Sequence, residues 1–252
     1  MIKKGSDKRA NPKMKENILR QAINLFLHKG YRGTTIEDIT DSVSITKGAF
    51  YWHFKSKDQL LQTIIEHYDT SFVDEFIKII DSLTGSFLTK YKHYHKYITE
   101  FALNNRELCV GFMTLSAELA GSGSEIEQKI NAIYLKHLIF LNNLIELGKK
   151  EGSIGMELDA DLTAHAIMAI NNGALLEWYM HQNKINGQLF AKTYRDLILK
   201  GLLHRNLMKN ERKDSPKATS SRPEVIRKSA SSREVNGKKS DQMARVKLKQ
   251  HK

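Results

Sequence analysis

The chain has 252 residues, 40% of them hydrophobic and 8% aromatic, which suits one large globular domain or two smaller ones with a sizeable core. Its formal net charge of +12 is uneven: residues 1 to 35 carry +7 and residues 209 to 252 carry +9, whereas residues 36 to 208 carry −4. Basic ends on an acidic body suit a polyanion, because each Lys or Arg that meets a phosphate releases a condensed counterion, and the single cysteine, Cys109, excludes an internal disulfide and agrees with a reducing compartment.

The opening stretch, MIKKGSDKRANPK, has no apolar run behind its basic residues before Ile18, so no secretory signal is expected and the protein is placed in the cytoplasm, with the nucleoid. Residues 1–12 read as a basic arm in which Lys3, Lys4, Lys8 and Arg9 can track phosphates or simply be solvated. A first helix follows Pro12, with Ile18, Ala22, Leu25 and Phe26 on one stripe; Gly30 ends it and Tyr31 supplies the apolar contact of the cap. Thr34-Thr35-Ile36-Glu37 opens a second helix, either with Thr34 as cap and Glu37 reaching back or with Thr35 as the cap. It runs to about Val43, and Ser44-Ile45 links it tightly to Thr46, which caps a third helix through Phe54. Ser56 and Gln59 form a capping box for a long fourth helix whose face is Leu61, Ile64, Ile65, Tyr68, Phe72, Phe76, Ile79 and Leu83.

Spacings of three and four between apolar residues recur as far as about residue 208, between Pro12 and Pro216, and predict helices near 86–104, 106–120, 124–150, 159–183 and 188–208. The expectation is an all-α fold of nine helices: a three-helix helix-turn-helix unit at 13–58 and a helical regulatory and dimerisation bundle at 59–208. The most apolar stretch, Leu162 to Met180, is interrupted by Thr163, His165, Asn171, Asn172, Gly173 and Glu177, which argues against a membrane span and a membrane partner. Residues 209–252 hold two prolines, no aromatic and many Lys, Arg and Ser, and read as a disordered basic tail.

Helices 35–43 and 46–54, joined by a tight turn, form the geometry that lays a recognition helix into a DNA major groove. Thr46, Lys47, Gly48 and Ala49 keep its leading turn slim enough for close approach. Here the sequence, TTIEDITDSVSITKGAFYWHFKSKDQLL, resembles the TetR (tetracycline-repressor-like) family, whose motif runs T-x-x-x-I-A, G-V-S-K-G-x-x-Y-x-H/Y-F, K-x-x-L. Thr35, Ile39, Lys47, Gly48, Tyr51, Phe54, Lys57 and Leu60 or Leu61 carry the match. Two positions depart from it: Thr40 stands where alanine is usual, and Ser44 stands at the turn glycine, a left-handed position that costs a serine about 1 kcal/mol.

The resemblance implies a sequence-specific, ligand-responsive regulator, here expected to be a repressor released from a palindromic operator in double-stranded DNA by an unknown small-molecule effector. An activator of the same family, or a general nucleic-acid binder using the tail, are the alternatives. The implied DNA-facing set is Thr35, Thr46, Lys47, Gly48, Ala49, Tyr51, Trp52, His53 and Lys57. Thr35, Thr46, Tyr51 and Lys57 are assigned to phosphate, and Lys47, Ala49 and Trp52 to the groove. Phe50 and Phe54 belong to the core, and Tyr51-Trp52-His53 also reads as an aromatic packing cluster.

A homodimer through the last two helices is implied too. Leu162, Ala166, Ala169, Ile170, Gly173, Leu176 and Met180 offer the surface on the eighth helix, and Phe190, Tyr194, Leu197, Ile198 and Leu202 on the ninth. Effector-pocket candidates are polar or bulky residues on apolar faces: Phe101, Met113, Tyr134, His137, Phe140, Asn171 and Trp178. No catalytic constellation, metal set or cofactor motif assembles, and an enzyme is not expected. His93 and His95 point apart on a helix and read as surface or boundary residues, Cys109 reads as a small buried hydrophobe, and Gly121-Ser122-Gly123 lacks a phosphate-loop ending.

Overall fold

The computed structural model describes residues 12–203. The arm before Pro12 and the tail 209–252 lie outside the described residues. Those described form ten α-helical segments and one π-helical segment, with no strand and a single β-bridge, Ile154 to Leu203. The expected all-α class is what the chain adopts.

Helix α1 spans Pro12–Gly33 with a break at Gly30, whose φ of 74° and ψ of 162° suit glycine alone. Ile18, Ala22 and Phe26 are its buried stripe, and the Tyr31 ring meets Phe26 edge-on at 5.2 Å. Helices α2 (Ile36–Ser42) and α3 (Lys47–His53) follow, with Ser44 between them at a φ of 55°, the left-handed conformation anticipated for the turn. Of the two capping schemes open for α2, the Thr35 one holds. Its hydroxyl accepts from the Asp38 amide, and the partner that reaches back is Asp38, not Glu37. Thr34 is buried instead and donates its hydroxyl hydrogen to the Gly30 carbonyl at 2.7 Å.

The expected long fourth helix is one continuous rod with an irregular middle: α4 (Lys57–Tyr68), a π-helical segment (Asp69–Asp74) and α5 (Glu75–Ser82), with Tyr68 and Glu75 both keeping right-handed helical angles. The wider π turn shifts the phase of everything after it. Ile80 is therefore buried, whereas Ile79, expected on the core face, is 37% exposed.

The body is completed by α6 (Phe87–Asn104), α7 (Arg106–Leu119), α8 (Glu125–Lys150), α9 (Ala160–Met180) and α10 (Gly187–Leu202). Ser86, Ser124, Asp159 and Asn186 cap α6, α8, α9 and α10 by accepting the amide three residues on. Helix α1 lies along α7 and α8 along α9. At the centre Phe72, Phe76, Tyr94 and Phe140 interlock with ring centroids 5.1 to 5.4 Å apart. Burying each such side chain contributes about 1.5–3 kcal/mol, so the aromatic cluster ties the π segment to α6 and α8.

Candidate nucleic-acid interface and body cavity

Helix α3 turns one side inward and leaves the other bare. Phe50 and Phe54 are buried, while Tyr51 and Trp52 are 52% and 53% exposed. Phe50 carries Tyr51 edge-on at 5.6 Å, and His53 sits edge-on to Trp52 at 4.7 Å, so the exposed rings are braced without being covered. Burial lowers the His53 pKa, aided by Lys15, which favours the neutral ring. Thr46 caps α3 through the Ala49 amide at 3.2 Å, and Lys47 pairs with Glu37 across the turn. Thr35, Thr46, Lys47 and Gly48 are exposed beside Tyr51 and Trp52, with Ala49 half-buried. The result is a slim edge of hydroxyls, one cation and two aromatic rings.

The turn from α1 into α2 is clasped from two sides. The Glu118 carboxylate on α7 accepts the amide hydrogens of Tyr31 at 2.8 Å and Arg32 at 2.9 Å. The Lys57 ammonium at the start of α4 donates to the carbonyls of Tyr31 at 2.7 Å and Thr34 at 2.8 Å, and lies 4.3 Å from the Tyr31 ring centre. Tyr31 in turn donates its hydroxyl to Asp58, and burial with that carboxylate raises its pKa. A side chain at residue 30 would come within 3.2 Å of the Glu118 carboxylate, a second reason for glycine there.

Behind this clasp the body holds a partly open cavity of about 800 Å³, with the solvent at its mouth counted in. Tyr68 and Phe72 from the α4 rod, Cys109 and Phe112 from α7, Met168 and Trp178 from α9, and Phe190 from α10 make it mostly apolar. Gly187 brings α10 close to Trp178: an added Cβ would stand 2.7 Å from the indole nitrogen. One polar chain crosses the wall. Asn171 Nδ2 donates to the Tyr94 hydroxyl at 3.1 Å, which leaves that hydroxyl to donate to His137 Nε2 at 2.7 Å. Burial pulls the His137 pKa down to about 3, so the ring is neutral and accepts. Asn171 Oδ1 is buried without a partner. Cys109 is buried as expected, its thiol pushed up to about 12 by burial and Glu107.

Residues 18–64 match the model of the bacterial regulatory proteins of the tetR family, and residues 72–201 match the C-terminal region of YsiA-like proteins. The chain belongs to the TetR family. Among its relatives, the HTH-type transcriptional repressor KstR2 of Rhodococcus jostii is 28% identical over 203 residues, 73% of this chain and 89% of that one. The repressor DhaR of a Mycobacterium species is 23% identical over 175 residues, 69% and 87% of the two chains. Among solved structures, the MbdR regulator from Azoarcus superposes with a TM-score of 0.69 at 28% identity, covering 76% of this chain and all of that one. FadR from Bacillus subtilis, solved in complex with stearoyl-CoA, has a TM-score of 0.61 at 20% identity, covering 74% and 98%.

Within this TetR-family chain several expected site residues stand elsewhere. Lys57 is not free for phosphate, because its ammonium is held by two carbonyls inside the fold. Tyr134, His137, Asn171 and Trp178 line the cavity, but Phe101, Met113 and Phe140 do not. Phe101 packs tilted against Phe72 at 4.6 Å at the edge of the core, and Phe140 is packed against Phe76 and Tyr94 within it. His95 is no surface residue: it is 2% exposed, whereas His93 is exposed and bonds to the Thr89 carbonyl at 2.8 Å. Sequence periodicity missed Tyr68, Phe72, Cys109 and Phe112 as cavity residues, since they sit on the same stripes as ordinary core.

Of the residues expected at a dimer interface, Leu162, Ala166, Ala169, Ile170, Gly173, Leu176, Met180 and Leu197 are exposed. Tyr194, Ile198 and Leu202 line a groove between α9 and α10 with Ala166, Ile170 and Leu197, and Phe190 and Tyr194 also line the cavity. Among the described residues no helix is long and apolar enough to cross a membrane.

Proposed function

We propose that the chain is a homodimeric transcriptional repressor that holds a palindromic operator through α3 and lets go when a largely apolar small molecule enters the body cavity. One observation carries this reading: both helices that clasp the α1–α2 turn also reach the cavity. The α4 rod grips the turn with Lys57 and meets the cavity with Tyr68 and Phe72, and α7 grips it with Glu118 and meets the cavity with Cys109 and Phe112. A ligand that repacks these walls favours a different setting of the turn, and with it of α3; by reciprocity operator DNA then weakens the ligand. The names of the KstR2 and DhaR relatives support repression, and the stearoyl-CoA held by the FadR neighbour supports an effector with a long apolar part.

The dimer rests on the bare face of α9. Leu162, Ile170 and Met180 are 68%, 43% and 57% exposed in line, with the small Ala166, Ala169 and Gly173 between them. Such a stripe lets a second helix approach closely, and twofold pairing spaces two α3 helices to read half-sites about 34 Å apart. Selecting bound sequences from random duplex DNA with the purified full chain tests the operator and twofold parts of this reading. An inverted repeat is the expected product, and a selection that returns none overturns it.

A further inference from the structure

A carboxylate stands on the exposed edge of the helix-turn-helix. Glu37 on α2 forms an ion pair with Lys47, the first residue of α3, and the two side chains are 55% and 56% exposed. Lys47 lies one turn before Tyr51 on the same face of α3, and the exposed Thr35 and Thr46 stand two residues and one residue before the members of the pair. The fold does not need this pair. Asp38 completes the cap of α2, and Ile39, Val43 and Phe50 anchor α2 and α3 in the core; an ion pair so exposed adds little to stability. Nor does Glu37 aid attraction to phosphate, since its charge cancels that of Lys47 and repels a polyanion. A carboxylate placed there weakens DNA binding unless it meets a hydrogen-bond donor, and the donors in a major groove are the amino groups of cytosine and adenine.

We propose that the Glu37–Lys47 pair reads one G·C base pair in each operator half-site as a unit, Lys47 donating to guanine O6 and N7 and Glu37 accepting from cytosine N4. The inference rests on α3 entering the major groove and adds the base pair that is read there. The match is one of order and spacing. Across its major-groove edge a G·C pair shows two acceptors and then a donor, to which an ammonium followed by a carboxylate is complementary. Guanine O6 and cytosine N4 are bonded to each other at about 2.9 Å, the spacing of a hydrogen-bonded ammonium and carboxylate. Pairing also holds both groups in register before DNA arrives, which spares ordering entropy on binding.

A C·G pair reverses the order, so that Lys47 meets the amino group and Glu37 the carbonyl oxygen, and both contacts turn repulsive. A T·A pair keeps the order through thymine O4 and adenine N6 but puts a methyl group in place of guanine N7. The ranking at this position is therefore G·C above T·A, with C·G and A·T below both. Selection from random duplex DNA with the full chain, with Glu37→Ala and with Lys47→Met tests this. The native chain should enrich an inverted repeat containing one G·C pair per half-site that both variants cease to select, while they keep the other positions. On that duplex, fluorescence anisotropy should show reversal to C·G weakening the native chain about tenfold or more, and T·A weakening it less. Glu37→Ala should bind all these duplexes within about threefold of one another and bind unrelated duplex DNA more tightly at low salt.

If the two variants lose selection at different base pairs or at none, or if Glu37→Ala raises affinity for every duplex and keeps the ranking, the paired reader is overturned and the operator reading stands. A native selection that returns no inverted repeat overturns both. Should Lys47→Met bind no DNA, the ranking shown by Glu37→Ala decides alone: a kept ranking overturns the proposal and a flattened one supports it.

Discussion

The Glu118 carboxylate and the Tyr31 amide, 87 positions apart in the chain, meet at 2.8 Å and join the last turn of α7 to the turn that sets the reading head. A second bond from the same carboxylate to Arg32 makes the grip bidentate, and Lys57 closes it from the opposite side through the carbonyls. The turn is thus held by both of its backbone polarities, and each holder sits on a helix that reaches the cavity.

Glu118→Ala removes two charge-assisted acceptors and should cost about 2–4 kcal/mol of stability, with Glu118→Gln costing less because one acceptor remains. Urea unfolding gives the cost. At temperatures where the variant is folded, operator affinity should fall and its response to an effector should shrink; full retention of that response would show that α7 does not transmit it.

Lys57 and the exposed face of α3 should separate cleanly by salt dependence. Lys57→Met should lower the melting temperature and leave the slope of log affinity against log salt unchanged, since its ammonium neutralises no phosphate. Tyr51→Ala with Trp52→Ala should leave the melting temperature within about 2 °C and weaken operator binding by at least about tenfold, because the two rings are half exposed and the core does not need them. Fluorescence anisotropy across a salt series reads both.

Ile170→Glu with Leu197→Glu should yield a folded monomer in sedimentation experiments. Both residues are exposed, 43% and 63%, so charge there spoils a subunit contact and not the protomer core. Operator affinity should drop steeply with it, as one α3 reads only a half-site.

Two buried histidines set a pH dependence. Burial holds His137 near a pKa of about 3 and His95 near about 4, the latter also through Arg195, against an ordinary 6.5. Both folded values lie below the unfolded one, so the stability they support is full above pH 6.5 and is lost as pH falls from there to the folded values. The loss is on the order of 1 kcal/mol per pH unit for each ring between about pH 6 and 4. His137→Gln should flatten the acid limb of a urea-midpoint curve, and an unchanged limb would show that His137 is not held neutral.

Helix starts were legible because a cap and the amide it binds lie three residues apart, as at Thr46 with Ala49 and Ser56 with Gln59. The turn of the helix-turn-helix was legible through the TetR motif, which has glycine where Ser44 takes the left-handed conformation. The π segment was not, since the stripe through Tyr68, Phe72 and Phe76 fits a regular helix equally well, and only packing decided that the wider turn would bury Ile80 in place of Ile79.

From the sequence alone came the all-α class and the order of the helices, which depend on periodicity and contacts within a turn or two. The resemblance to the TetR motif supplied Tyr51 and Trp52 as DNA-facing, in a stretch that also read as a packing cluster. Tertiary structure alone decided that Lys57 would clasp a turn instead of reaching for phosphate, that Glu118 would be its counterpart, and that four of seven candidate residues would border a cavity. The physical reason is that a helix period states which side of a residue is buried, whereas partner, cavity and charge environment are set by groups tens of residues away that periodicity does not encode.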